Sequence, residues 1–370
     1  MKDDARELAR LAWEQAGPRA RQGDTAYVRE LGGRLAEGLE AAAEQVRTYA
    51  DALARVVRTL ALTPGRDSLV QLIRLLDEHG PFGRFGTDAR FVASLLAEAQ
   101  EPADLAELLY DRPERDELDE LRACLFQELL LRGVDTEAFR PLRAWPVVGP
   151  SRHPLSWLPP TLRPFETGAT FPHRSIDGGS GEGWTGLSTV ERLDPPTPRT
   201  TARSPLRNVA TVDVHESIVA ATSAGEFGHY DAWVFALDAP LDPALVPTLV
   251  PTLPMPCVAD LGPTARFEIV RRPVADIWRI LFGTASMGGV YGRGVQGAYG
   301  RRSTWWSLAG LAGAPPGATA EEVERHALES TWFHFECDTE WFHNEIHDYG
   351  IAALSPDRRR LAVLAATDTD

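Results

Sequence analysis

The sequence predicts an α+β protein in two parts. An all-helical N-terminal domain occupies residues 1–145, a Pro/Gly-rich linker with long loops 146–204, and a mixed α+β domain 205–370. Three observations predict this. Apolar residues recur at helical spacing almost without interruption to about residue 145. Between Trp145 and Ser204 that period dissolves into proline, glycine, serine and threonine runs. Beyond it, short strand-like runs alternate with helical stretches. Helices of similar length joined by short turns suggest a solenoid-like array or an irregular bundle for the N-terminal part.

Taken in order, MKDDARELARLAWEQAG opens the chain as an acidic helix. From Val28 the apolar positions Leu31, Leu35, Leu39, Val46, Leu53, Val57 and Leu60 fall mostly three, four or seven apart, giving one buried face of one long or broken helix. Pro64-Gly65 stops it. Asp67 or Ser68 is placed to cap RDSLVQLIRLLDEHG, and Asp88 to cap DARFVASLLAEAQ, which ends before Pro102. ADLAELLY and ERDELDELRACLFQELLLRG follow as helices, the second closing on Gly133. WPVVGPSRHPLSWLPP has too many prolines to remain helical. NVATVDV, YDAWVFAL and ARFEIVRR read as strands, and PVADIWRILFG, RSTWWSLAGLAG and TAEEVERHALES as helices. STWFHFECD is a strand before a short helix, and GIAALS and RRLAVLAAT form a hairpin turned by Pro356-Asp357. Thr367–Asp370 reads as an exposed acidic tail.

The 53 acidic and 38 basic residues give a net charge of −15, which repels a phosphate backbone and argues against nucleic acid as a partner. No apolar run is long enough to span a bilayer, so no membrane role is expected. The N-terminus lacks the features of a signal peptide, and Cys124, Cys257 and Cys337 form no C-x-x-C pair. A reducing, cytoplasmic location follows as the expectation.

Two stretches carry candidate chemistry. GVYGRGVQGAYGRR contains G-x-G-x-x-G in Gly292, Gly294 and Gly297. A dinucleotide cradle requires a strand before the glycines and an acidic residue about twenty positions on. Here a helical pattern precedes them and the next acidic residue is Glu321. What survives is a weaker expectation, an anion site formed by Arg293, Arg301 and Arg302 with Tyr291 and Tyr299.

The second stretch is TWFHFECDTEWFHNEIHD. Strand alternation puts His334, Glu336 and Asp338 on one face and Phe333, Phe335 and Cys337 on the core face. Helical spacing then aligns Glu340, His343 and His347. Glu-x-x-His and His-x-x-x-His are spacings by which a helix face holds a metal, so His334, Glu336, Glu340, His343 and His347 are candidate metal ligands. Glu340, His343 and His347 are also the candidate acid/base groups. The competing reading makes them the solvated side of an amphipathic strand and helix. No cofactor is expected, and a divalent metal is the one group this cluster could hold. Cys124 lies in the apolar run ACLFQELLL and reads as an inert thiol.

GGVYGRGVQGAYGRRSTWWSLAGLAG and FHNEIHDYGIAALSPDRRRLAVLAATDTD together resemble, over roughly residues 286–370, an actinobacterial family known as a domain of unknown function. The resemblance rests most on the ending LAVLAATDTD and implies no activity, cofactor or catalytic residue.

No catalytic motif is complete, so the reading leans away from an enzyme. It favours a cytoplasmic protein that binds a protein partner, as an immunity or regulatory factor does, with its oligomeric state open. The alternative is a metal-dependent or acid/base enzyme acting on a small anionic substrate at the His334–His347 cluster.

Overall fold

The computed structural model describes residues 2–41, 46–79, 88–111, 118–149, 151–177, 180–181, 206–262, 265–290, 292–342 and 348–368. The chain divides into two compact units. Unit 1 comprises Met1–Ser156, Pro172–Gly183 and Gln296–Ala298, and unit 2 comprises Trp157–Phe171, Trp184–Val295 and Tyr299–Asp370.

Unit 1 is helical, as its periodicity predicts. Its elements are α1 (Lys2–Arg21), α2 (Thr25–Ala41), α3 (Val46–Leu62), α4 (Arg66–His79), α5 (Ala89–Ala99), α6 (Pro102–Leu105), α7 (Asp119–Leu131) and α8 (Arg140–Val148). The long apolar stripe from Val28 to Leu60 belongs to two helices, α2 and α3, which pack on each other. Helix α3 also packs on α1, α4 and α5, which makes the unit an irregular bundle. Asp88 caps α5 as expected, accepting from the Phe91 amide at 2.8 Å. After α6 the chain makes one π-helical turn, Ala106–Tyr110. The buried Arg122 donates from Nε to the Leu109 carbonyl at 2.8 Å, satisfying an acceptor in that turn.

Helix α8 departs from expectation, since it carries Pro146 in its last turn. A proline there removes a single amide bond close to the helix end, a cost that the short element tolerates. A two-residue ladder, β1 (His173–Arg174) with β2 (Ser180–Gly181), completes the unit.

Unit 2 contains α9 (Val212–Ile218), α10 (Ala220–Ala224), β3 (His229–Ala236), α11 (Val246–Leu249), β4 (Phe267–Arg272), α12 (Val274–Met287), α13 (Gln296–Ala312), α14 (Ala320–Glu329), β5 (Thr331–Cys337), β6 (Tyr349–Leu354) and β7 (Arg360–Thr367). The strands form one antiparallel sheet in the order β3-β7-β6-β5-β4. One face presents Trp233, Phe235, Phe333, Phe335, Leu361 and Val363 to the short helical turns between Val246 and Val258. On the other face α12 packs against β4 and β5. Strands β6 and β7 are therefore buried on both sides, which is why they read as apolar runs rather than as alternation.

NVATVDV is not a strand. Asn208 makes one bridge to Phe235, and Thr211 then caps α9 by accepting from the Val214 amide at 3.4 Å. The capping hydroxyl outweighs the β-branched propensity of the valines. Of the closing tail expected to be exposed, Thr367 and Asp368 are buried, and residues 369–370 lie outside the described residues.

Of the Pro/Gly-rich stretch, residues 182–204 lie outside the described residues, and the part before them is not a plain linker. Residues 146–148 end α8, while Leu158, Phe165 and Glu166 are buried within unit 2. The Phe165 ring lies 5.3 Å from that of Trp305. Proline and glycine set the backbone conformation there, and the intervening apolar side chains still drive burial.

Candidate functional site

Each glycine of the G-x-G-x-x-G stretch answers to a protein neighbour. A Cβ on Gly292 would strike the carbonyl oxygen of Gly225, and one on Gly294, whose φ is +58, would strike that of Ser286. At Gly297 a Cβ would lie 2.8 Å from the Glu128 carboxylate. The stretch follows helix α12, as expected, and Asp368 holds it: this buried carboxylate accepts from the amides of Gly228, at 3.1 Å, and Val290. In unit 1 the Gly297 amide, at the start of α13, donates to Glu128 at 2.7 Å. The anion at this helix start is thus the protein's own. Burial raises the Glu128 carboxyl above its ordinary range, against the pull of Arg132 and Arg174.

The arginines expected to form an anion clamp do not converge. Arg301 is fully buried; its Nε and Nη2 each lie 2.7 Å from a different oxygen of Glu166, and it also donates to the carbonyls of Pro159 and Thr161. Trp305 Nε1 donates to the same carboxylate at 2.7 Å. This bidentate, fully satisfied pair is internal structure. Arg302 stacks on the Trp306 ring at 3.7 Å, and the Tyr299 ring lies 5.9 Å from its guanidinium. Arg293 is exposed. Tyr291 lies outside the described residues.

The His/carboxylate stretch is partly described. His334 and Glu336 share a strand face as predicted, but that face is covered at His334, which is 3% exposed with no hydrogen-bond partner at Nδ1. Burial, reinforced by the Arg272 charge and opposed by Asp276, holds its pKa down to about 4, so it stays neutral. Glu336 stands opposite Glu268 across the strand pair. Burial raises its carboxyl; Arg266 works against that shift and Glu268 and Asp348 add to it. Glu340 lies in an exposed turn. His343 and His347 lie outside the described residues. Among the described residues no group of three or more His, Cys, Asp or Glu is placed to hold a metal ion. The three cysteines are free and buried, and burial pushes the thiols of Cys124 and Cys257 well up, which makes them poor nucleophiles.

A concave site does occur in unit 2, outside the two candidate stretches. A groove of about 430 Å³ is walled by Val214 and Ser217 of α9, by Trp306, Ala309 and Gly310 of α13, and by Gly313 and the turn Ala314–Ala318 with Trp157. The α13 wall follows one helical stripe, i, i+3 and i+4, a signal present in the sequence. Gly310 allows α9 to approach, since a Cβ there would lie 2.7 Å from the Ile218 amide. Trp306 is 38% exposed and Val212, beside the groove on α9, 72%. Two charged residues line it. Arg360 donates to the carbonyls of Leu311 and Gly310 at the end of α13, and burial lowers its pKa to about 10. Asp213 is exposed on α9. The chemistry on offer is apolar contact with one carboxylate at the wall.

The model of a family of unknown function (DUF6183) matches residues 10–370. No curated protein and no solved structure matches the chain. Among the described residues no helix is long and apolar enough to cross a membrane.

Proposed function

We propose, for a chain that belongs to the DUF6183 family of unknown function, that it works by binding a protein partner in the cytoplasm, as an immunity or regulatory factor does. The groove on unit 2 is the binding surface. One observation carries this reading: a concave apolar site of about 430 Å³ with a part-exposed tryptophan at its edge. Such sites anchor partner side chains, and aromatic residues dominate binding energy in them. The three free cysteines favour a reducing location.

The test is photo-crosslinking in the protein's own cells from position 315, in the groove wall, and from position 328, exposed on α14. A single partner adduct at 315 and none at 328, lost when Ala309→Trp is added to fill the groove, supports the reading. Adducts of equal strength at both positions, or none at 315, overturn it.

The enzyme reading at the His334–His347 cluster has one observation in its favour, the facing carboxylates of Glu268 and Glu336 with Glu336 held towards its protonated form. Elemental analysis of untagged protein decides it. Stoichiometric zinc, iron or manganese that disappears in Glu336→Gln supports it, and metal-free protein retires the metal-dependent form.

A further inference from the structure

We propose that the groove takes an arginine or lysine side chain set in an apolar segment of the partner, an inference that rests on the binding reading above. It starts from the charges in the wall. Of the two charged lining residues, Arg360 directs its donors to the Leu311 and Gly310 carbonyls and keeps its positive charge, which turns an incoming cation away from that part of the wall. Asp213 is the one anion in the lining, and it makes no ion pair or hydrogen bond among the described residues. Glu216, one helical turn on and also exposed, extends the negative edge.

The aromatic wall sets where the cation goes. The Trp306 face is covered by the Arg302 guanidinium at 3.7 Å, which repels a second cation there. An incoming ammonium or guanidinium therefore goes to the Asp213 side, while its methylene stem lies along Val214, Ala309 and Pro315. The net charge of −15 attracts a basic partner from a distance.

The test is selection of a phage-displayed library of random 12-residue peptides on the full-length protein, on Ala309→Trp and on Asp213→Asn. Peptides enriched on the wild type but not on Ala309→Trp should carry Arg or Lys flanked by apolar residues. Individual peptides, measured by fluorescence anisotropy, should bind Asp213→Asn about three- to tenfold more weakly, with the difference shrinking as salt rises. Enriched peptides that are apolar without a basic residue, or that bind Asp213→Asn equally well, overturn the inference and leave the groove as a binding site. No enrichment on the wild type over Ala309→Trp overturns the groove reading itself.

Discussion

Glu166 holds three donors at once, the Arg301 Nε and Nη2 and the Trp305 indole, in a place with no solvent access. Replacing one partner of such a pair leaves a buried charge uncompensated. Glu166→Leu is expected to cost about 3–5 kcal/mol in chemical denaturation, and the double variant Glu166→Leu/Arg301→Met to recover most of it. Gly292 and Gly294 carry a similar constraint in steric form. Gly292→Ala forces its methyl against the Gly225 carbonyl and should lower stability by about 1–3 kcal/mol, read as a fall in Tm. His334 sets an acid limit. Its folded pKa of about 4 lies below the unfolded value of 6.5, so its contribution is complete above pH 6.5 and is lost as pH falls through the window between them. The raised Glu336 carboxyl works in the opposite sense, so the comparison that isolates His334 is wild type against His334→Gln. The stability difference between them should shrink from pH 7 to pH 4. None of these roles was legible locally. Arg301 and Glu166 lie 135 positions apart, and a lone arginine beside glycines looks the same whether it faces water or a carboxylate.

At the scale of elements, the glycine stretch and the chain's last described residues act together. The Asp368 carboxylate ties the Gly228 and Val290 amides, so the stretch after α12 and the end of β7 form one assembly. Asp368→Asn should speed amide hydrogen exchange at Gly228 and Val290 and leave the β6–β7 ladder amides protected. Equal acceleration in that ladder would show global loosening instead. The helices of unit 1 and the β6–β7 hairpin were legible because their pattern is local: apolar spacing for one, Pro356-Asp357 for the other. Element α9 was not, because Thr211 as a cap and three nearby valines as strand formers give opposite local signals. The groove lay hidden behind that misreading, with one of its walls assigned to a strand.

At the scale of the whole molecule, each unit carries its own buried thiols, Cys124 in unit 1 and Cys257 and Cys337 in unit 2. Native protein should show no fast-reacting thiol towards an aromatic disulfide reagent. Labelling through a urea gradient, with each cysteine located by mass spectrometry, should report the opening of each unit separately. Fast labelling of Cys257 without denaturant would mean that its burial is not maintained in solution. The two-part organisation was legible from the change in texture near residue 145, but the assignment of residues 157–171 was not. Their burial depends on partners beyond residue 300, such as Arg301 and Trp305.

The interleaved course of the chain has a consequence for how the protein can change over evolutionary time. Unit 2 takes Trp157–Phe171 from one part of the sequence and Tyr299–Asp370 from another, and unit 1 takes Gln296–Ala298 from between them. A recombination event that cut near residue 205 would deliver Arg301 without Glu166, and one that kept only the first 156 residues would deliver Glu128 without the Gly297 amide. Neither unit is a cassette that one crossover can lend to another gene with all its internal pairs intact, and the family model that matches residues 10–370 spans both.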